Sequence, residues 1–428
     1  MTGRITSPAI VVTGMGIISP YGIGPDILWT KLMAGESGLQ PLTTFDTAHI
    51  RCRVGGQLKD FNANRYLSPR TVRKIDRFSS FALIASELAL LDAGLLVDGK
   101  KPLWMESGEG EQRVGICVGN NLGGWEFAER ELRNLWQSGP REVSPYMATA
   151  WFPAAVQGNV SIQFGIKGIG RTFLADRASG AMAIIHAADC LQRGRADMML
   201  VGGTEAPFSP YAALCYETSG LMSQQAVSGS LTAYRPFDVA HDGLVCAEGA
   251  AFFVLERAED ALARGATILA KLTGWASTYD GYNMVQPAPD GQRYAEAMKQ
   301  ALTQAQKQPD DIDCVFAAGS GIPSEDIAET RAIRLALGDA ANKIPVSTPK
   351  SAFGNMFGAA TPVDMAIALL AMQRHVIPAT LHLDQPAPGC DLDYVPQTPR
   401  SVERLDTCLI NARGMGGTNA ALVVERCS

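Results

Sequence analysis

At 428 residues, with 46% hydrophobic and 19% charged side chains, the chain is long enough for two packed halves and too apolar to stay disordered. A net charge of −6 leaves no basic face for nucleic acid, and the apolar runs stop at strand length, which excludes a membrane span. The opening residues carry no basic-then-apolar leader, and the nine cysteines are scattered without a CxxC spacing, so a cytoplasmic protein with no disulfide frame and no metal is expected.

In chain order, short apolar runs predict buried strands at Ile10–Thr13, Val114–Val118, Met198–Val201, Phe252–Leu255, Cys314–Ala317, Ile344–Val346 and Cys408–Ile410. Helical patterns lie between them. Over Lys74–Gly94 the apolar Phe78, Phe81, Ile84, Ala85, Leu88 and Leu91 share one face, and Gly94 is the stop. Strands separated by helices predict crossover units and a parallel-rich sheet covered on both sides. Polar loops are expected at Lys100–Gln112, Ser219–Ser230, Asp280–Gly291 and Asp384–Asp406. Thr172–His186 and Val346–Leu370 each read as strand, small-residue turn and helix, a faint sign of duplication.

Six stretches go further: VVTGMGIISPYG at Val11–Gly22, VGGTEAPFSPYAALCYETSGLMS at Val201–Ser223, RPFDVAHDG at Arg235–Gly243, EGAAFFVLE at Glu248–Glu256, STPKSAFGNMFGAA at Ser347–Ala360 and NARGMGGTNAAL at Asn411–Leu422. In order and spacing they resemble the β-ketoacyl-acyl-carrier-protein synthases over nearly the whole chain. The resemblance implies an α/β thiolase-like fold of two duplicated halves, each with a central mixed sheet between helices, and an obligate dimer. It places the N-terminal half at 1–258 and the C-terminal half at 259–428.

A condensing enzyme of this family holds its acyl chain on a cysteine at a helix N-terminus, where the backbone amides favour the thiolate. Two histidines then assist decarboxylation of a malonyl thioester and stabilise the enolate. Set against those motifs, Arg177 stands at the nucleophile in Asp176–Gly180, Ala318 at the first histidine in Ala317–Gly321, and Asn355 at the second in Lys350–Asn355. None of His49, His186, His241, His375 and His382 lies close in sequence to these positions. Cys190 is thirteen residues beyond Arg177, nearly 20 Å along a helix at about 1.5 Å per residue. Of the hydroxyl residues that hold a phosphopantetheine arm in the family, Ser320 keeps one, whereas Ile322 has lost the other.

Lys350 and Asp364 stand where the family places a lysine and an acid, and are expected to form a buried pair supporting the vestigial site. Gly414–Gly417 reads as the family's tight turn, with Arg413 in place of a bulky aromatic gate. Arg177, at the unfavourable end of a helix dipole, is expected to pair with Asp176 or Asp364.

The stretches Gly123–Pro140 and Ser144–Phe152 resemble the chain-length factors of type II polyketide synthases, most of which carry glutamine where Arg177 stands. That resemblance implies a heterodimer with a catalytic ketosynthase, an acyl carrier protein that delivers substrate on its phosphopantetheine to the partner, and no cofactor in this chain. Trp125, Ala128, Leu132 and either Leu135 or Trp136 recur at helical spacing, with Glu126, Glu129, Arg130 and Arg133 elsewhere, and are expected to line the end of the polyketide tunnel. The alternatives are a malonyl-thioester decarboxylase using Asn355 and Lys350, and an atypical condensing enzyme using Ser179.

Overall fold

The computed structural model describes residues 8–47, 50, 53–97, 101–107 and 110–427. His49 and part of the Lys100–Gln112 segment lie outside the described residues. Among the described residues the main sheet has eleven strands; beside the short Gly22–Ile23, which pairs only with the first strand, ten run in continuous order: β1 (Ile10–Ser19), β2 (Val114–Gly119), β3 (Gly170–Phe173), β4 (Met198–Glu205), β5 (Gly249–Arg257), β6 (Ala270–Tyr279), β7 (Cys314–Phe316), β8 (Val346–Ser347), β9 (Thr407–Gly414) and β10 (Thr418–Glu425).

Their order is β3-β2-β4-β5-β1 in one half and β8-β7-β9-β10-β6 in the other, with β1 and β6 antiparallel neighbours where the halves meet. Each half therefore repeats one topology, third-second-fourth-fifth-first. The directions repeat as well. β2 pairs in parallel with β3 and β4, as β7 does with β8 and β9. β5 pairs antiparallel with β4 and β1, as β10 does with β9 and β6. The duplication hinted at by two short stretches is thus carried by the whole chain.

A parallel-rich sheet is the wrong expectation. Only the outer three strands of each half pair in parallel, and β9 turns straight into β10 as a hairpin, which makes that pair antiparallel. The turn needs its glycines: Gly416 and Gly417 have φ of 78° and 80°, which side-chain-bearing residues avoid. Strand β6 escapes detection because Lys, Thr, Gly and Ser interrupt its apolar residues, whereas the apolar run of β10, Ala420–Val424, is unbroken yet absent from the predicted strands.

Six helices matter for the site: α1 (Arg77–Asp92), α2 (Trp125–Ser138), α3 (Ser179–Gln192), α4 (Gln292–Gln304), α5 (Pro323–Leu337) and α6 (Ala360–Arg374). Side chains alternate across each strand, so the two faces of one strand feed two cores. Along β5, Ala250, Phe252 and Val254 join α1, whereas Ala251, Phe253 and Leu255 join α3 and α6. Along β9 and β10, Leu409, Ala421 and Val423 join α4 and α5, and Cys408, Ile410, Leu422 and Val424 face α3 and α6. Helices α3 and α6, one from each half, thus form the middle layer between two sheet surfaces. Being surrounded, they are apolar on nearly every side.

Three local expectations need correction. The Lys100–Gln112 segment carries a short helix, Leu103–Ser107, anchored by the buried Trp104, whose indole N–H donates to the Phe164 carbonyl at 2.8 Å. The Ser219–Ser230 segment contains the helix Gln224–Val227. Helix α1 is buried on more than one face, since Ser79, Ser80 and Ser86 are as enclosed as Phe78 and Phe81.

Candidate functional site

Arg177, Ala318 and Asn355, far apart in sequence, line one cavity together with Lys350, Asp364, Ser320, Glu325, Glu329, Asn411 and Arg413. The first half contributes the turn entering α3. The second half contributes the segments after β7 and β8, the start of α5, and the end of β9. Repeated halves place equivalent turns face to face, which is how residues so distant converge.

The cavity is nearly full. Its void is about 20 Å³, room for a single water. Much of the space is taken by Arg177, buried to 5% exposure. Its Nη1 and Nη2 donate to the two carboxylate oxygens of Glu325 at 2.7 and 2.9 Å, and Nε donates to Asp176 at 3.0 Å. Arg413 shares Glu325 at 3.0 Å and reaches Asp280 at 3.1 Å. Asp176, Glu325 and Asp280 thus enclose two guanidiniums in a network that crosses between the halves.

Burial opposes the charge on Arg177, but Glu325 and Asp176 more than offset it and hold the guanidinium above its ordinary pKa. Burial likewise pushes the Glu325 carboxyl up, and Arg177 and Arg413 outweigh it, leaving that carboxyl below its usual range. Glu325 also sits in the first turn of α5, where a carboxylate meets the positive end of the helix dipole. The partner expected for Arg177 is therefore half right: Asp176 is one, the bidentate one is Glu325, and Asp364 is not involved.

Asp364 instead pairs with Lys350 at 2.6 Å. The Lys350 ammonium also donates to the carbonyls of Ala317 and Ala318 at 2.8 and 3.0 Å, so all three of its donors are occupied. Burial pushes the Asp364 carboxyl up to about 6, with Lys350 opposing. Glu329, buried and likewise raised, accepts the backbone N–H groups of Ala318 and Gly319 at 2.8 Å each. Asn355 is engaged at both ends: its amide donates to the Tyr234 hydroxyl at 3.2 Å and its carbonyl accepts the Phe357 N–H at 2.9 Å. The Ser179 hydroxyl accepts from the Ala175 N–H at 2.8 Å and donates to the Asp176 carbonyl at 2.7 Å.

Glu325, Asp280, Glu329 and Asn411 were not singled out in the sequence. The only local signal was the acidic pair Glu325–Asp326 after Pro323, an ordinary helix start. His241, distant in sequence from the three motifs, comes near: its Nδ1 lies 2.8 Å from Asp326, which also accepts the N–H groups of Phe237 and Gly321. It does not line the cavity.

Helix α2 differs from its expected orientation. Its buried residues are Phe127, Ala128 and Glu131. Glu131 turns inward because its carboxylate accepts the Ser144 N–H at 2.8 Å and pairs with Arg130 at 3.0 Å. Trp125 is half-buried, its ring 4.7 Å from Tyr211 and 6.4 Å from Trp151, and Leu132 is also half-buried, whereas Trp136 is 76% exposed. The row Trp125–Ala128–Leu132 therefore straddles the rim of the core. It does not form a single open face.

Comparison with known proteins bears on the family and the fold. Residues 7–261 match the family profile described as β-ketoacyl synthase, N-terminal domain, and residues 269–384 the C-terminal domain. The chain is 38% identical to the tetracenomycin polyketide synthase ketoacyl synthase beta subunit of Streptomyces glaucescens, over 99% of this chain and 100% of that one. It is 36% identical to 3-oxoacyl-acyl-carrier-protein synthase 2 of Synechocystis, over 97% and 98% of the two chains. Among solved structures, the ishigamide ketosynthase/chain length factor superposes with a TM-score of 0.88 at 26% identity, covering 99% of this chain and 100% of that one. Relatives thus include both a beta subunit and a synthase, and the thiolase-like architecture is common to them.

Proposed function

The chain belongs to the β-ketoacyl synthase family, and from that premise we propose that it is the chain-length factor of a type II polyketide synthase. In this reading it is a non-condensing subunit that pairs in the cytoplasm with an active ketosynthase. An acyl carrier protein brings the substrate to that partner. Arg177, Ala318 and Asn355 occupy the positions of the three reacting groups, with Lys350 and Asp364 as a retained support, and 1–258 and 259–428 are the two halves.

One observation carries the reading: the Arg177–Glu325–Arg413 network fills the cavity and leaves about 20 Å³, far short of the space a malonyl thioester needs. The decarboxylase reading loses support because all three donors of Lys350 are occupied and the Asn355 amide is already bonded to Tyr234. An atypical synthase using Ser179 loses support because that hydroxyl is enclosed and committed to the backbone on both sides.

The need for a partner is supported by the surface. Strand β3 is an edge strand whose outer side has no neighbour among the described strands, and nearby Phe152, Ile162 and Leu174 are each more than half exposed. Unpaired edges and grouped apolar side chains are what an obligate interface covers, commonly over about 2,000 Å². Co-expression with a type II ketosynthase that keeps Cys-His-His is expected to give a one-to-one complex that elongates carrier-bound malonyl units, which this chain alone is expected not to do. A chain that remains a monomer beside that partner rules the reading out.

Chain-length control is assigned to α2, with Trp125, Ala128 and Leu132 bounding the end of the tunnel. Trp125 is only half enclosed by its own subunit, so Trp125→Ala is expected to lengthen the product, changing product ratios about tenfold for ~1.4 kcal/mol of relieved steric cost. Ala128 is buried, so Ala128→Trp is a poorer probe, since it would overpack this subunit before reaching a tunnel. Product analysis of the Trp125→Ala heterodimer decides. Unaltered lengths from an intact complex would remove α2 as the ruler.

A further inference from the structure

The start of α2 is built around one carboxylate outside the cavity. Asp76 is 3% exposed, and its two oxygens serve two different helices. Oδ1 accepts the Phe78 N–H at 3.1 Å, capping α1, and Oδ2 accepts the Phe127 N–H at 2.7 Å, in the first turn of α2. The first N–H groups of a helix have no partner within it, so one side chain here supplies both helices with an acceptor and ties their starts together.

The glycine pair before α2 makes this contact possible. A Cβ on Gly124 would lie 2.3 Å from the Ala150 carbonyl and 2.8 Å from the Asp76 Cβ, and Gly123 has a φ of 70°. Only residues without side chains let the chain pass between Asp76 and the turn at Ala150–Trp151. The same geometry sets Trp125, the next residue, against Trp151 and Tyr211.

Resting on the reading of α2 as the ruler, we infer that Asp76 is the positioning residue for that helix: its carboxylate docks the first turn of α2 onto α1 and so fixes where Trp125 stands. Asp76 is not among the residues that line the cavity, and its oxygens are bonded to the first turns of α1 and α2. The charges around it are arranged to hold one geometry. Arg77, next in the chain, is drawn to Glu248 by two bonds at 2.7 and 2.8 Å, leaving the Asp76 oxygens to the amides. Burial, with Glu126 adding to it, pushes the Asp76 carboxyl up to about 7, and the Phe127 and Phe78 amides oppose that shift.

The test uses the heterodimer with its ketosynthase and two variants that reach the contact from opposite sides. Asp76→Asn offers one acceptor oxygen to two amides, and Gly124→Ala forces α2 away while keeping the carboxylate. Both are expected to speed hydrogen exchange of the amides at the start of α2 about tenfold, the scale of a lost cap, and to alter the ratio of product lengths while the complex still assembles. Unchanged exchange in both variants overturns the inference. So do parent product lengths in Asp76→Asn when Trp125→Ala shifts them, and in that case the ruler reading survives. Parent lengths in Asp76→Asn and Trp125→Ala together overturn both.

Discussion

Replacing Glu325 with alanine is expected to cost about 3–5 kcal/mol of stability, the most of any single change in the cavity. Among the described residues, Glu325 is the only acid that binds both Arg177 and Arg413, at 2.7, 2.9 and 3.0 Å. Without it, Asp176 and Asp280 each retain one guanidinium, but the two cations face each other across a vacated, buried space. A buried carboxylate left without its partner can take up a proton, whereas arginine cannot shed one at any ordinary pH. The loss is therefore not recovered by titration. Glu325→Gln, which keeps the shape and one acceptor, is expected to cost less, and Arg177→Leu combined with Glu325→Leu less than Glu325→Ala alone, since it removes charges in pairs. Denaturant unfolding of the purified protein reads all three. A Glu325→Ala protein within about 1 kcal/mol of the parent would mean that the network does not hold the halves together.

The second large effect is an absence of rescue. Arg177→Cys restores a thiol at the entrance to α3 but is expected to yield no acyl-enzyme, leaving transfer about a millionfold below a working site, as when groups that act as a unit are incomplete. Two features of the structure oppose the thiol. Ala318 has no imidazole, and Asn355 is bonded to Tyr234 and Phe357, so the two histidines that assist decarboxylation and stabilise an enolate have no counterpart here. Removing Arg177 also leaves Asp176 and Glu325 beside the sulfur, and neighbouring carboxylates disfavour a thiolate. Intact-mass measurement after incubation with an acyl thioester is the check. A stoichiometric adduct on residue 177 would overturn the account of this cavity as catalytically silent.

Much of this was legible without coordinates, and the pattern of what was legible has a cause. Motifs such as Ser347–Ala360 and Asn411–Leu422 are local, so family, lost reacting groups and strand positions could be read along the chain. Lys350 and Asp364 lie fourteen residues apart, close enough for the resemblance to name both. Glu325 lies 148 residues from Arg177 and Asp280 133 from Arg413, and no local pattern links such pairs. Likewise, helical spacing grouped Trp125 with Ala128 and Leu132, but the inward direction was decided by Ser144 drawing Glu131 into the core and by Asp76 holding Phe127. Periodicity specifies which residues share a face, whereas the direction of that face depends on what packs against it. The strand directions followed the same division. Alternation and apolar runs locate a strand, but its neighbours depend on chain reversals such as the Met415–Gly417 turn, and the duplicated order emerged only when both halves of the sheet were complete. What stood in the sequence was the identity of the missing groups. What filled their place was settled by the fold, because a buried guanidinium is stable only where distant carboxylates can reach it.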